Sequence, residues 1–186
     1  METFETPTKT LKITHDDYPY NPREDDNLGL MICSHRRYNL GDKHDIDFSN
    51  YNSFEEVEKA IKNKYKTAII LPLYLYDHSG ITISTKPFGC QWDSGQIGFT
   101  TISKDKIRSE YGVKRITKDL LDRVEGYLVS EVKLYDYYLM GEVYHFEITD
   151  KEGNVLDSCG GFLGSDYNTN GILDYIDDEE LIKLLK

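Results

Sequence analysis

Leu120, Leu121, Val124, Tyr127, Leu128, Val132, Tyr135 and Leu139 recur at three- and four-residue spacing, and this stripe constrains the fold more than any other feature. A row of that period lines one side of a helix of about six turns, opening at Thr117, and the stripe has to be buried against another element. Gly126 is the one weak helix former near its middle. Short apolar or alternating runs supply the covering surface. Lys9 to Thr14, Leu30 to Cys33, Ala68 to Tyr76, Ile81 to Ser84 and Gln96 to Ser103 read as strands. Pro72 cannot donate to a ladder, so part of the 68–76 strand is expected at an edge or a bulge.

The turn Asp77-His78-Ser79-Gly80 makes 73–85 a hairpin, and residues 142–149 and 155–162 form a second one about Lys151 to Asn154. Ser53 and Glu56 have capping-box spacing ahead of a helix over 54–65. Ser103 caps a short helix through Tyr111, and the tail, 172–186, ends in an amphipathic helix with an acidic face. No repeat, low-complexity stretch or linker interrupts the 186 residues. The expectation is a single α+β domain over 1–186: an antiparallel sheet with one long helix and an acidic C-terminal helix, after an acidic, partly irregular segment 1–28.

Charge narrows function. The chain has 33 Asp+Glu against 22 Lys+Arg, a formal charge of −11. Neutralising phosphate takes surplus cations, so a generic nucleic-acid or anionic-membrane binder is disfavoured. No apolar run approaches the ~20 residues of a membrane span. Residues 1–28 lack the basic-then-apolar order of a secretory signal. Seven acids and three bases lie in 1–28, and eleven acids and three bases in 142–186, around a nearly neutral centre. Fifteen tyrosines accompany this surplus.

Carboxylates with Tyr suit the binding of a basic protein surface, with a solubilising face as the competing reading. The candidate contacts are Asp16, Asp17, Glu24, Asp25 and Asp26, with Asp174, Asp177, Asp178, Glu179 and Glu180. Cys33, Cys90 and Cys159 form an odd set without a CxxC pair. That argues against a disulfide framework and a structural zinc, and points to a reducing cytoplasm.

Several constellations offer chemistry. Asp77, His78, Cys90 and Asp93 gather around two turns, a set from which a small hydrolase or nucleotide-modifying enzyme could be built, although turns select Asp, Ser and Gly for conformation alone. His145 and Cys159 face each other if the second hairpin centres near Glu152. Asp166, Asn168, Asn170, Asp174 and Asp177 occupy positions 1, 3, 5, 9 and 12 of an EF-hand-like calcium loop, with Gly171 at position 6. An ordinary Asn-Gly turn accounts for the same residues. No other cofactor is expected. His35, Arg36, Arg37, Tyr38 and Lys43 form a basic island suited to the phosphate of a small nucleotide, or to internal pairing with carboxylates. His35, His44 and His78 lack metal-ligand spacing.

Three stretches together carry a resemblance. They are Asp26 to Asp42 (DNLGLMICSHRRYNLGD), Leu71 to Ser84 (LPLYLYDHSGITIS) with Cys90 to Phe99 (CQWDSGQIGF), and Tyr144 to Ile148 with Asp157 to Phe162 (DSCGGF). The chain resembles, over roughly 26–163, a family of small accessory proteins encoded by bacteriophages and other mobile elements, chiefly of Gram-positive bacteria. The family pattern has proline where this chain has Gln91 and tryptophan where it has Gly160. No catalytic residues come with the family. The resemblance implies a bacterial host cytoplasm and an anti-defence role of the anti-CRISPR kind. On that reading a Cas9-type nuclease is the leading partner class, met through protein contacts and not through nucleic acid or membrane.

Overall fold

In a computed structural model describing residues 1–186, the strands build two four-stranded antiparallel sheets where one was expected. In chain order the elements are β1 (Glu2–Glu5), β2 (Lys9–His15), β3 (Leu30–Cys33), α1 (Phe54–Tyr65), β4 (Thr67–Asp77), β5 (Ile81–Ser84) and β6 (Ser94–Ser103). There follow α2 (Lys104–Tyr111), α3 (Lys118–Met140), β7 (Val143–Asp150), β8 (Val155–Leu163) and α4 (Glu179–Leu185). The class is α+β. The chain divides into two compact units, one made of residues 1–22 and 137–186, the other of residues 23–136.

The first unit joins the two ends of the chain in a sheet of order β1-β2-β7-β8. Alternation in β2 sends Leu11 and Ile13 to one face, opposite Ile148 and Phe146 of β7. Phe162, Ile172, Ile176, Leu181 and Leu185 close over that face, so α4 is held by its apolar side. Each such side chain contributes roughly 1.5–3 kcal/mol on burial. Strand β1 was not foreseen: its sequence offers only Phe4 to the core, and it forms by pairing with β2 from Glu2↔Ile13 to Glu5↔Thr10. In β8 an extra residue intrudes between the pairs Tyr144↔Phe162 and Phe146↔Cys159, where Gly161 takes φ +87°. That is a bulge of the kind glycine permits.

The second unit has sheet order β3-β6-β4-β5. Pro72 lies in the part of β4 that pairs with β6 alone, which meets the edge of the edge-or-bulge expectation, and a register shift with its extra residue, Ile97, on β6 follows at Leu73/Tyr74. Ser53 accepts the Glu56 N–H at the start of α1, and Val57 and Ile61 pack on Ile32 and Phe99. The stripe of α3 is buried through Leu120, Val124 and Leu128, against Ile69, Ile102 and Ile107, whereas Tyr127, expected in the same row, is half exposed.

A buried ionic knot fastens the loop before β3 to α3. Arg23 donates from Nε to Asp42 Oδ1 at 2.9 Å and from Nη2 to Asp42 Oδ2 at 2.6 Å. Its Nη1 lies 3.7 Å from Glu131 Oε2. Glu131 accepts from the N–H groups of Leu28 (2.6 Å) and Gly29 (3.0 Å). Burial pushes its carboxyl up, and those two N–H groups and Arg23 counter this.

Candidate functional site

The first unit carries 15 carboxylates against five lysines, a net −10, while the second carries 18 against 17. Two of the five lysines are engaged internally: Lys9 with Asp178 at 2.6 Å and Lys151 with Glu5 at 3.4 Å. Of the expected contacts in this unit, Asp17, Asp174, Asp177, Glu179 and Glu180 are exposed. Tyr18 is 93% exposed next to Asp17, and Tyr175 is 59% exposed between Asp174 and Asp177. Each acidic stretch of the unit therefore presents an open aromatic ring among its carboxylates.

Two residues of the expected set are occupied by structure. Asp178 caps α4, accepting from the N–H groups of Glu180 (3.0 Å) and Leu181 (3.2 Å) in addition to pairing with Lys9. Lys9 and those N–H groups hold its carboxyl below the usual carboxylate range. Asp16 accepts from the N–H groups of Tyr18 (3.0 Å) and Gly161 (3.1 Å). A Cβ on Gly160 would come within 2.6 Å of its Oδ2, so the glycine here leaves room for the carboxylate. Glu24, Asp25 and Asp26 belong to the other unit, where Asp26 pairs with Lys106 at 2.9 Å.

The structure does bring the expected Asp77, His78, Cys90 and Asp93 together. Asp93 Oδ2 is the hub, 3.2 Å from His78 Nδ1 and 3.8 Å from Cys90 Sγ. Asp77 is held by Arg37 and by the Tyr38 hydroxyl at 3.2 Å, and its N–H donates to the Asp93 carbonyl at 2.8 Å. A cavity of about 260 Å³, lined by His35, Arg37, Asp77, Trp92 and Asp93, opens beside them. Asp93 stands between the imidazole and the thiol, so His78 and Cys90 each meet the carboxylate and not each other. A thiolate is favoured by a neighbouring imidazolium or cation, whereas the group beside Cys90 is a carboxylate. Through these contacts Asp77 and Asp93 tie the β4–β5 hairpin to the β6 approach.

The other expected groups make the following contacts. Cys159 pairs with Phe146 and packs on the first unit's core, so His145, one residue along β7, points to the opposite face; the extra residue Leu156, between the pairs Thr149↔Val155 and Ile148↔Asp157, shifted the register. In the loop 166–177, Asp166 accepts from Asn168 and Thr169, and Asn170 Oδ1 accepts the Ile172 N–H at 3.0 Å. Those oxygens shape the loop that carries Ile172 into the core. In the basic island, Arg37 pairs with Asp77 and His35 stacks on Tyr38 with centroids 5.0 Å apart, while Arg36 is exposed. Burial pushes the Cys33 thiol up to about 12, so it stays protonated. No helix is long and apolar enough to cross a membrane.

Sequence reasoning missed the Arg23–Asp42–Glu131 knot, because its members lie 19 and 108 positions apart and only the fold joins them. It also passed over the cationic stretch 104–118, which has six bases and two acids in a chain of opposite sign. A local charge count would have found the second. Comparison with known protein families, with curated proteins and with solved structures finds no match.

Proposed function

We propose that this protein is a non-enzymatic inhibitor that offers the carboxylates of its first unit to a basic, nucleic-acid-handling effector, in the manner of anti-defence proteins of phages and mobile elements. A Cas9-type nuclease is the leading partner class. The observation that carries this reading is the concentration of −10 of the chain's −11 charges in one unit built from both chain ends. Carboxylates compete with phosphate for the same Lys and Arg groups, and exposed Tyr18 and Tyr175 offer ring faces to the same cations. The genomic setting comes from the resemblance of the YDHSGITI and CQWDSG stretches, and it supplies the class of partner.

The test is competition. The protein is mixed with a Cas9-type nuclease and its guide, and DNA binding is followed as salt is raised. Inhibition at low salt that fades at high salt is the expected result, because exposed charges are screened within ~10 Å at 0.1 M. Replacing Asp174, Asp177, Glu179 and Glu180 together by their amides should abolish the inhibition. Absence of co-purification, with unchanged DNA binding at low salt, removes the reading.

A further inference from the structure

We propose that the corner between α2 and α3 in the second unit is a binding site for a small organic phosphate of nucleotide size. Lys104 and Arg108 stand four residues apart on α2, and so share a face. Gly112 ends the helix at φ +61°, and the Val113 N–H returns to the Arg108 carbonyl at 3.1 Å. This reversal sends Lys114 and Arg115 back alongside that face. The four cations line one cavity of about 370 Å³, whose remaining wall is Ala68, Ile116 and Leu121. No carboxylate lines it. The ion pairs of this region are Arg108 with Asp105 and Lys106 with Asp26, so Lys104, Lys114 and Arg115 stand outside them.

Of these four like charges only Arg108 has a carboxylate partner, so they repel each other, and an anion of charge −2 or more relieves that repulsion. Arg115 also borders a second cavity of about 490 Å³, shared with Tyr111, Val113, Thr117, Leu120 and Arg123, and with one carboxylate, Asp119, so this side suits the uncharged body of the ligand and not its phosphates. There the Arg123 guanidinium lies 5.1 Å over the Tyr111 ring, which leaves a flat, partly aromatic wall. Both volumes fall in the range of small-molecule sites. Phosphates seat against Lys104, Arg108, Lys114 and Arg115, and the organic body lies across Arg115 against the Tyr111 side. A nucleic-acid strand fits less well: its phosphates need cations spread along a track, and the −11 of the whole chain repels a polyanion.

The experiment titrates the full chain with pyrophosphate, ADP and adenosine, read by calorimetry and by Tm. Pyrophosphate and ADP should bind and raise Tm, and adenosine should not. The double variant Lys114→Ala/Arg115→Ala should lose about tenfold or more in ADP affinity. The charge-matched double variant Lys59→Ala/Lys86→Ala, placed elsewhere in the unit, should keep it. Removing mutually repelling charges should leave the unliganded Tm unchanged or higher, and Lys104→Ala repeats the test if the double variant is unstable. The site is overturned by failure of both phosphates to bind at millimolar concentration, by equal losses in the two double variants, or by an oligonucleotide that binds through these residues more tightly than ADP. None of these outcomes bears on the acidic surface, which belongs to the other unit.

Discussion

In the second unit Asp42, Asp136 and Glu131 turn inward, where each accepts backbone N–H groups and Asp42 and Glu131 face a buried arginine. In the first unit Asp17, Asp174, Asp177, Glu179 and Glu180 turn outward to solvent. The same residue type thus serves as internal cement in one region and as unspent surface charge in the other. Net charge tells the two uses apart poorly, since 18 carboxylates are hidden behind 17 cations in the second unit. Burial and hydrogen-bond partners tell them apart well, and they forecast opposite responses to mutation.

The largest response belongs to the knot. Arg23→Ala leaves Asp42 and Glu131 facing each other without their cation and should cost about 3–5 kcal/mol, the usual penalty for breaking a buried pair from one side. Urea unfolding measures it. A loss below about 0.5 kcal/mol would mean that the inward carboxylates cement nothing, and the contrast between the units would collapse. Next comes Asp136→Ala. Asp136 accepts from the Thr82 hydroxyl at 2.6 Å and the Ile83 N–H at 2.7 Å, so removing it strips β5 of both acceptors. About 1–3 kcal/mol is expected, read in the same unfolding series.

Outward carboxylates should behave otherwise. The quadruple amide variant at Asp174, Asp177, Glu179 and Glu180 should shift stability by no more than about 1 kcal/mol. If it unfolds the protein instead, these acids are structural and the first unit resembles the second.

This division was only half legible in the sequence. The stripe of α3, the caps at Ser53 and Ser103, the Pro72 edge and both hairpins follow from local patterns of two to four residues, and they stand where those patterns placed them. Sheet membership did not follow. Pairing β2 with β7 joins residues more than 120 positions apart, and only burial of Leu11 and Ile13 against Phe146 and Ile148 selects it. The candidate surface shows the same split. Composition located the acidic ends, but not that 24–26 would part from 16–17, nor that Asp178 would be consumed as a cap. A single inserted residue, Leu156, between the pairs Thr149↔Val155 and Ile148↔Asp157 was enough to separate His145 from Cys159.

Asp178 sits on the boundary between the two uses and gives the smallest and finest test. It is an acid of the first unit, but it caps α4 and pairs with Lys9, as the carboxylates of the second unit do. Asp178→Ala removes cap and pair together and should cost about 1 kcal/mol. Asp178→Asn keeps an equivalent cap and loses only the part-exposed ion pair, so a few tenths of a kcal/mol is expected. The pH dependence reads the charged form of Asp178, which Lys9 and the two cap N–H groups all favour. The folded-state pKa of Asp178 is lowered, chiefly by Lys9, so its contribution is complete above the unfolded-state value and is lost as pH falls through the folded-state value. Melting curves taken from neutral pH down through the carboxylate range should therefore show the wild type losing more Tm than Asp178→Asn. Parallel decline of the two would mean that Lys9 adds nothing to α4, and would return Asp178 to the set of outward carboxylates free to meet a partner.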